Sequence, residues 1–169
     1  MIERSDAVRE GVVQVAKLMV LSAVTAPKGR GVDNVSARIL DSRDELELLA
    51  KTMEELSGEY GDVFARDASN VRRSDAVVLI GCKIVDFKLK QPRELEIDLN
   101  LAMSLVNLGI AVGSAVKTAS IHNVDNRVMY TVGIAAKKLG LLDADVILGV
   151  PLSATSKNIY FDRVWPPRT

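Results

Sequence analysis

Seven residues, Lys28-Gly29-Arg30-Gly31-Val32-Asp33-Asn34, combine the types that anion binding needs. Gly29 and Gly31 permit close backbone approach or a positive φ, while Lys28 and Arg30 supply cationic donors for a phosphate. Asn34 adds an amide able to bond a heterocycle edge. The pattern Gly-x-Gly-x-x-Asn departs from the dinucleotide fingerprint: it follows a helical pattern, not a strand, and lacks the third glycine. Glycines among charges also compose ordinary polar turns, and both readings stay open.

A second constellation is His122-Asn123-Val124-Asp125-Asn126-Arg127. If a helix begins at Asp125-Asn126, its N-terminus attracts anions, and Arg127 adds a planar donor fork. The plainer reading is an N-cap by Asp125 or Asn126, with His122 solvated or structural. Farther on, Pro151-Leu-Ser-Ala-Thr-Ser-Lys157-Asn158 follows an apolar run, and Lys157 stands at a strand end, where ligands of α/β sheets collect. Lys28, Gly29, Arg30, Gly31, Asn34, Asn126, Arg127 and Lys157 are therefore the candidate cofactor-binding residues, and no catalytic residue is singled out.

Other chemistries are excluded more firmly. One cysteine, Cys82, and one histidine, His122, cannot assemble a disulfide, a multi-thiolate cluster or a multi-histidine metal site within one chain. Nucleophile-elbow, Walker, His-Glu-x-x-His and EF-hand patterns are missing. Lys and Arg total 22 and Asp and Glu total 22, and this neutral balance argues against a nucleic-acid partner. Cys82 follows an apolar run and reads as an inert core thiol.

The elements that must position these groups are legible in the periodicity. Val8, Val12, Val15, Met19 and Ala23 predict an amphipathic helix from about Asp6 to Val24, stopped by Pro27. Val35 to Leu40 suits a strand. Ser42 and Glu45 form a capping box for a helix that buries Leu46, Leu49, Met53 and Leu56 and ends near Gly58. Its outer face is acidic and reads as solvated. A short helix over 63–71 precedes a strand, Asp75 to Gly81, buried on both faces. Residues 82–96 form a loop leading to an apolar helix expected to end near Gly109. The next helix is expected to start at Asp125-Asn126, with Lys137 and Lys138 in its last turn and Gly140 after it. A second buried strand, Asp145 to Val150, is expected to stop at Pro151. Leu99 to Val116 is uncharged and holds Gly109-x-x-x-Gly113, but Asn100, Ser104, Asn107 and Ser114 favour a core segment over a membrane span. The 169 residues thus predict a single compact α/β or α+β domain, helices packed on a small mixed sheet, with a C-terminal aromatic tail over 152–169.

Several segments taken together resemble a known family. They are Thr25 to Asn34, Arg66-Asp67-Ala68, Ser74 to Gly81, Leu108 to Ala115, Asp125 to Met129, Gly149 to Ser153, Lys157-Asn158 and Phe161-Asp162-Arg163. In that order they are similar to a family of uncharacterised prokaryotic proteins containing a ferredoxin-type domain. Members carry a cysteine cluster between the Val77–Ile80 strand and the Leu99 helix. Here that interval holds Cys82 alone, so this chain resembles a cluster-free member. A more distant likeness is to flavin-dependent nitroreductases, which share the helix ending in an Ala-Pro loop, the buried strand and the apolar helix with Leu-Gly. That likeness implies a nitroreductase-like fold and FMN at a dimer interface, with Lys28, Arg30 and Asn34 as flavin contacts.

Two functions follow. One is an FMN-dependent oxidoreductase without an iron–sulfur cluster, in which the cofactor does the redox chemistry and the protein positions it. The other is a non-catalytic binding or assembly protein that has lost the ferredoxin-type centre. With no basic n-region and apolar leader at Met1-Ile-Glu-Arg, the expected location is the cytoplasm, with no membrane partner. A homodimer is expected because Tyr160, Phe161 and Trp165, three of seven aromatics, lie past the last strand, although such a tail can also dock in cis.

Overall fold

The computed structural model describes residues 1–161. Ten elements follow in order: α1 Arg4–Thr25, a 3-10 turn Gly29–Gly31, β1 Val35–Leu40, α2 Arg43–Tyr60, α3 Val63–Arg72, β2 Ala76–Cys82, α4 Leu99–Ile121, β3 Asp125–Asn126, α5 Tyr130–Lys138 and β4 Val146–Ser153. The sheet order is β1-β2-β4-β3, and all three pairings are antiparallel. The architecture is therefore the α+β form of the expectation, and the sheet is antiparallel instead of mixed. The α2–α3 pair explains the first reversal. Two antiparallel helices return the chain to the end of β1 that it left, so Val77 pairs with Leu40.

Side-chain alternation along β2 builds two cores. Val77 and Leu79 face α2, α3 and α5, joining Leu46, Leu49, Met53, Phe64, Val132 and Ala136. Ala76, Val78, Ile80 and Cys82 face α1 and α4, joining Val12, Met19, Leu108, Ala111 and Ala115. Every residue of β2 is buried, as its unbroken apolar run requires. Each such Val or Leu contributes about 1.5–3 kcal/mol. The capping box is formed: Ser42 Oγ accepts from Glu45 N, and the Glu45 carboxylate accepts from Ser42 N at 3.3 Å. The α2 helix continues through Gly58 and ends at Gly61, whose φ of 98° lies outside the range ordinary side chains favour.

Three further boundaries differ from expectation. First, α4 runs twelve residues past Gly109. Gly109 and Gly113 lie on its exposed side, while Leu108, Ala111, Val112, Ala115 and Ala119 pack beneath. That burial outweighs about 1 kcal/mol of lost helix propensity per glycine. Among the described residues α4 is the one helix long and apolar enough to span a membrane, and a third of its apolar window is buried in the protein. Second, Asp125 and Asn126 cap no helix. They pair with Ser153 and Leu152 as a short edge strand, and α5 starts at Tyr130. Third, β4 runs through Pro151. The mutual bonds of Gly149 and Met129 show that odd-numbered β4 residues turn their backbone groups toward β3. The missing N–H of Pro151 thus falls between that bridge and the Asp125–Asn126 pair, where the edge ladder is interrupted.

The aromatic tail is divided. Tyr160 is 2% exposed and packs in the α2–α3–α5 core, its hydroxyl 2.9 Å from Ser74 Oγ. Phe161 is exposed beneath the Arg127 guanidinium, 5.1 Å from the ring centroid. Trp165, Pro166 and Pro167 lie outside the described residues. Tyr160 therefore docks on its own chain. Burial pushes its phenol up to about 12, with the Ser74 hydrogen bond acting in the opposite sense. An unfolded tyrosine ionises near pH 10, so between pH 10 and 12 the unfolded chain loses a proton that the folded chain keeps. Stability should fall by about 2–3 kcal/mol across that interval. Chemical denaturation at stepped alkaline pH, compared with Tyr160→Phe, checks it: the variant should lack this component.

Candidate functional site

The loop after α1 is a clamp between helices. Lys28 Nζ donates to the carbonyls of Ala23, Val24 and Ala26 at 2.6–3.1 Å, capping the C-terminus of α1 where the helix dipole favours a cation. Gly29 N–H donates to Asn107 Oδ1 at 2.8 Å, Asn107 Nδ2 donates to Asn34 Oδ1 at 2.9 Å, and Asn34 Nδ2 donates to the Lys83 carbonyl at 2.7 Å. Asn34 and Asn107 are both buried, so this chain of amides holds the loop against α4 and β2. A Cβ at Gly29 would lie 2.9 Å from Met103 Cε, the tip of a flexible side chain that can shift aside.

Arg30 has φ 54° and Gly31 φ 68°, two successive left-handed residues. For Arg30 this conformation costs about 1–2 kcal/mol. It turns the guanidinium toward residues 83–98, where Nη1 donates to the carbonyls of Phe87 at 2.7 Å and Lys88 at 3.3 Å. That long segment has no regular structure and is pinned from α4 as well. Val85 N–H donates to Ser104 Oγ at 3.3 Å and Phe87 N–H to Asn100 Oδ1 at 3.0 Å. Asn107 is the organising residue that motif reading passes over. Its signal was present: Asn100, Ser104 and Asn107 recur at helical spacing and mark one polar stripe on the uncharged stretch 99–116.

Asn126, Arg127 and Lys157 form a separate corner. Asn126 Nδ2 donates to the Val124 carbonyl at 3.2 Å, and Arg127 Nη1 donates to the Tyr160 carbonyl at 3.2 Å. Lys157 is exposed in the turn after β4. A polar cavity of about 470 Å³ opens here, lined by Ser120, Asn123, Val124, Asp125, Asn126 and Asn158. The structure does not bring the two groups together. Asn34 accepts from Lys83 N–H at the Cys82 end of β2, whereas β3 lies beside Leu152, the partner of Ala76 at the other end. Seven strand residues span about 20 Å.

Two remaining residues have simple roles. Cys82 is fully buried, and burial, then the Asp145 carboxylate, raises its thiol above the ordinary value. That disfavours the nucleophilic thiolate. His122 is an exposed residue at the C-cap of α4. Alongside the clamp, α4 turns Leu105, Val106 and Ile110 outward at 40–50% exposure, with Gly109 and Gly113 between them.

Residues 99–163 match the family described as "Uncharacterized protein containing a ferredoxin domain (DUF2148)". An "Uncharacterized protein" of Archaeoglobus fulgidus is 42% identical over 181 aligned positions, covering 96% of this chain and 97% of the relative. Among solved structures, a nitroreductase with bound FMN from Desulfitobacterium hafniense superposes with a TM-score of 0.61 at 13% identity, over 92% of this chain and 81% of that one. The hypothetical oxidoreductase YcnD from Bacillus subtilis gives 0.59 at 11% identity. That match covers 86% of this chain but 58% of YcnD, so this chain spans under two-thirds of that oxidoreductase. These structural likenesses show the fold, which is that of the nitroreductases.

Proposed function

This chain belongs to the family of uncharacterised proteins containing a ferredoxin domain, and we propose that this member is an FMN-binding, oxidoreductase-like homodimer without an iron–sulfur centre. The observation that carries the reading is the clamp loop, rich in basic groups and built on the fold shared with an FMN-loaded nitroreductase. The ferredoxin label does not extend to a cluster here, because ligation takes several thiolates and the chain has one cysteine, buried in β2.

The donor set fits a flavin phosphate at Arg30. Its side chain is exposed, and among the described residues its hydrogen bonds leave from Nη1, so Nη2 and Nε can meet an oxyanion. Lys28, Gly29, Gly31 and Asn34 shape the loop that presents it. Asn126, Arg127 and Lys157 would supply a second contact group, and one ligand would reach both groups only with a second copy contributing one of them. The apolar α4 face at Val106 and Ile110 gives that copy a surface, and Gly109-x-x-x-Gly113 allows close helix approach. Bound FMN would supply hydride or electron transfer, and the protein's part is to hold and orient it.

Fluorescence titration with FMN should give saturable binding, and Arg30→Ala should weaken it roughly ten- to hundredfold, the loss of one desolvated charge-assisted contact. Light scattering should give a dimer mass, and Ile110→Glu should return one 18.3 kDa chain. Equal FMN affinity in wild type and Arg30→Ala would move the site elsewhere. No binding at millimolar FMN would leave a non-catalytic binding or assembly protein as the reading.

A further inference from the structure

On the face of the sheet opposite α1 and α4, three aromatic rings meet at a corner between α2, α3 and α5. Phe64, 2% exposed, forms the floor. Tyr60 stands 5.7 Å from it, tilted by 37°, and Tyr130 stands 5.9 Å from it at 88°. These two rings are 53% and 55% exposed and form walls, with Ile134 completing a cavity of about 350 Å³. A cavity of this size suits a small molecule.

We infer that this corner is a binding site for a small organic cation carrying an alkylated ammonium head. Aromatic faces carry negative potential, and Tyr60, Phe64 and Tyr130, the last nearly at right angles to Phe64, line one space. The surroundings reinforce the sign. The Glu59 carboxylate holds the Tyr60 phenol above its ordinary value, and Glu55, Glu59 and Asp62 are exposed along α2 and the turn after it. The nearby cations are drawn elsewhere. Arg66 pairs with the buried Asp67 carboxylate at 2.7 Å, and Lys137 Nζ donates to the Ala144 and Asp145 carbonyls. Lys138 lies two turns along α5 from Tyr130 and does not line the cavity. A hydrated inorganic ion gains little from such walls, whereas methyl groups on nitrogen spread the charge over a surface that packs against the rings. The site lies in a different helical layer from the clamp loop and does not depend on flavin binding.

The test is a titration of the full chain with choline, followed through the Tyr60 and Tyr130 ring signals by NMR. The control is the uncharged alcohol in which carbon replaces the choline nitrogen. Choline should give saturable shifts at both rings, with the neutral isostere about tenfold weaker. Tyr130→Leu and, separately, Tyr60→Leu should each weaken choline by a similar factor, while Tyr130→Phe should retain it, because the ring faces and not the hydroxyl make the contact. Equal affinity for choline and its isostere would overturn the assignment, as would choline binding unchanged in both leucine variants. Absence of saturable choline binding to the wild-type chain would also reject it.

Discussion

Replacing Gly133 by alanine should cost at least about 4 kcal/mol and leave little folded protein at room temperature, the range reached when a core site cannot accommodate an added group. Gly133 sits mid-way along α5 where the helix crosses β4. A Cβ there would collide with the Ile147 carbonyl oxygen and lie 2.5 Å from its carbonyl carbon. The obstacle is strand backbone, paired with β2 in the middle of the sheet, so it cannot swing aside as a side-chain tip would. Gly149 is the matching position on β4, where a Cβ would collide with Val132. The two glycines let helix and strand approach at one point from both sides. Gly11→Ala is the control. That glycine is exposed on α1 with nothing within 4 Å of a new Cβ, so alanine should stabilise the protein by about 0.5–1 kcal/mol. Urea midpoints of the two variants should move in opposite directions. A folded Gly133→Ala with a wild-type midpoint would show that α5 can slide on the sheet.

Asn107→Ala should destabilise the chain by about 2–4 kcal/mol, because it strands two polar groups at once. Gly29 N–H loses its 2.8 Å acceptor and Asn34 Oδ1 its 2.9 Å donor, while Asn34 itself stays buried. The clamp should loosen as a unit, since the same loop carries the left-handed Arg30. Hydrogen exchange should therefore speed up at Gly29 and through residues 83–88, and FMN binding should weaken even though Asn107 is 1% exposed and out of a ligand's reach. Asn107→Asp can still accept from Gly29 but cannot donate to Asn34, and should fall between wild type and alanine. Unchanged exchange at Gly29 would mean that the loop is held by Lys28 and Arg30 alone.

Much of the fold was legible because local physics decided it. The α1 stripe, the Ser42–Glu45 box, the β1 run and the unbroken apolar stretch of β2 each carry their own signal, and each element formed where that signal placed it. The errors share one cause. Gly109, Asp125-Asn126 and Pro151 are sound local stop or start signals, yet tertiary packing overrode each. The buried face of α4 carried the helix past its glycine. Pairing with β4 drew Asp125 into a strand, with Asn158 donating to its carboxylate at 3.0 Å. The gap in the edge ladder admitted the proline.

The candidate site divides along the same line. Sequence alone singled out the clamp loop, because glycine beside arginine and lysine is a composition with a chemical meaning in any fold, and with it Asn126, Arg127 and Lys157. It also limited metal and thiolate chemistry outright, since counting one cysteine and one histidine needs no coordinates. The tertiary structure decided which donors face inward. Lys28 caps α1, Asn34 is spent on Asn107 and Lys83, and the two basic groups stand at opposite ends of the sheet. It likewise assembled Tyr60, Phe64 and Tyr130 from three helices into one corner. Residue type fixes which hydrogen bonds and charges a side chain can offer. Only the packing of distant segments fixes whether another part of the chain has already taken them.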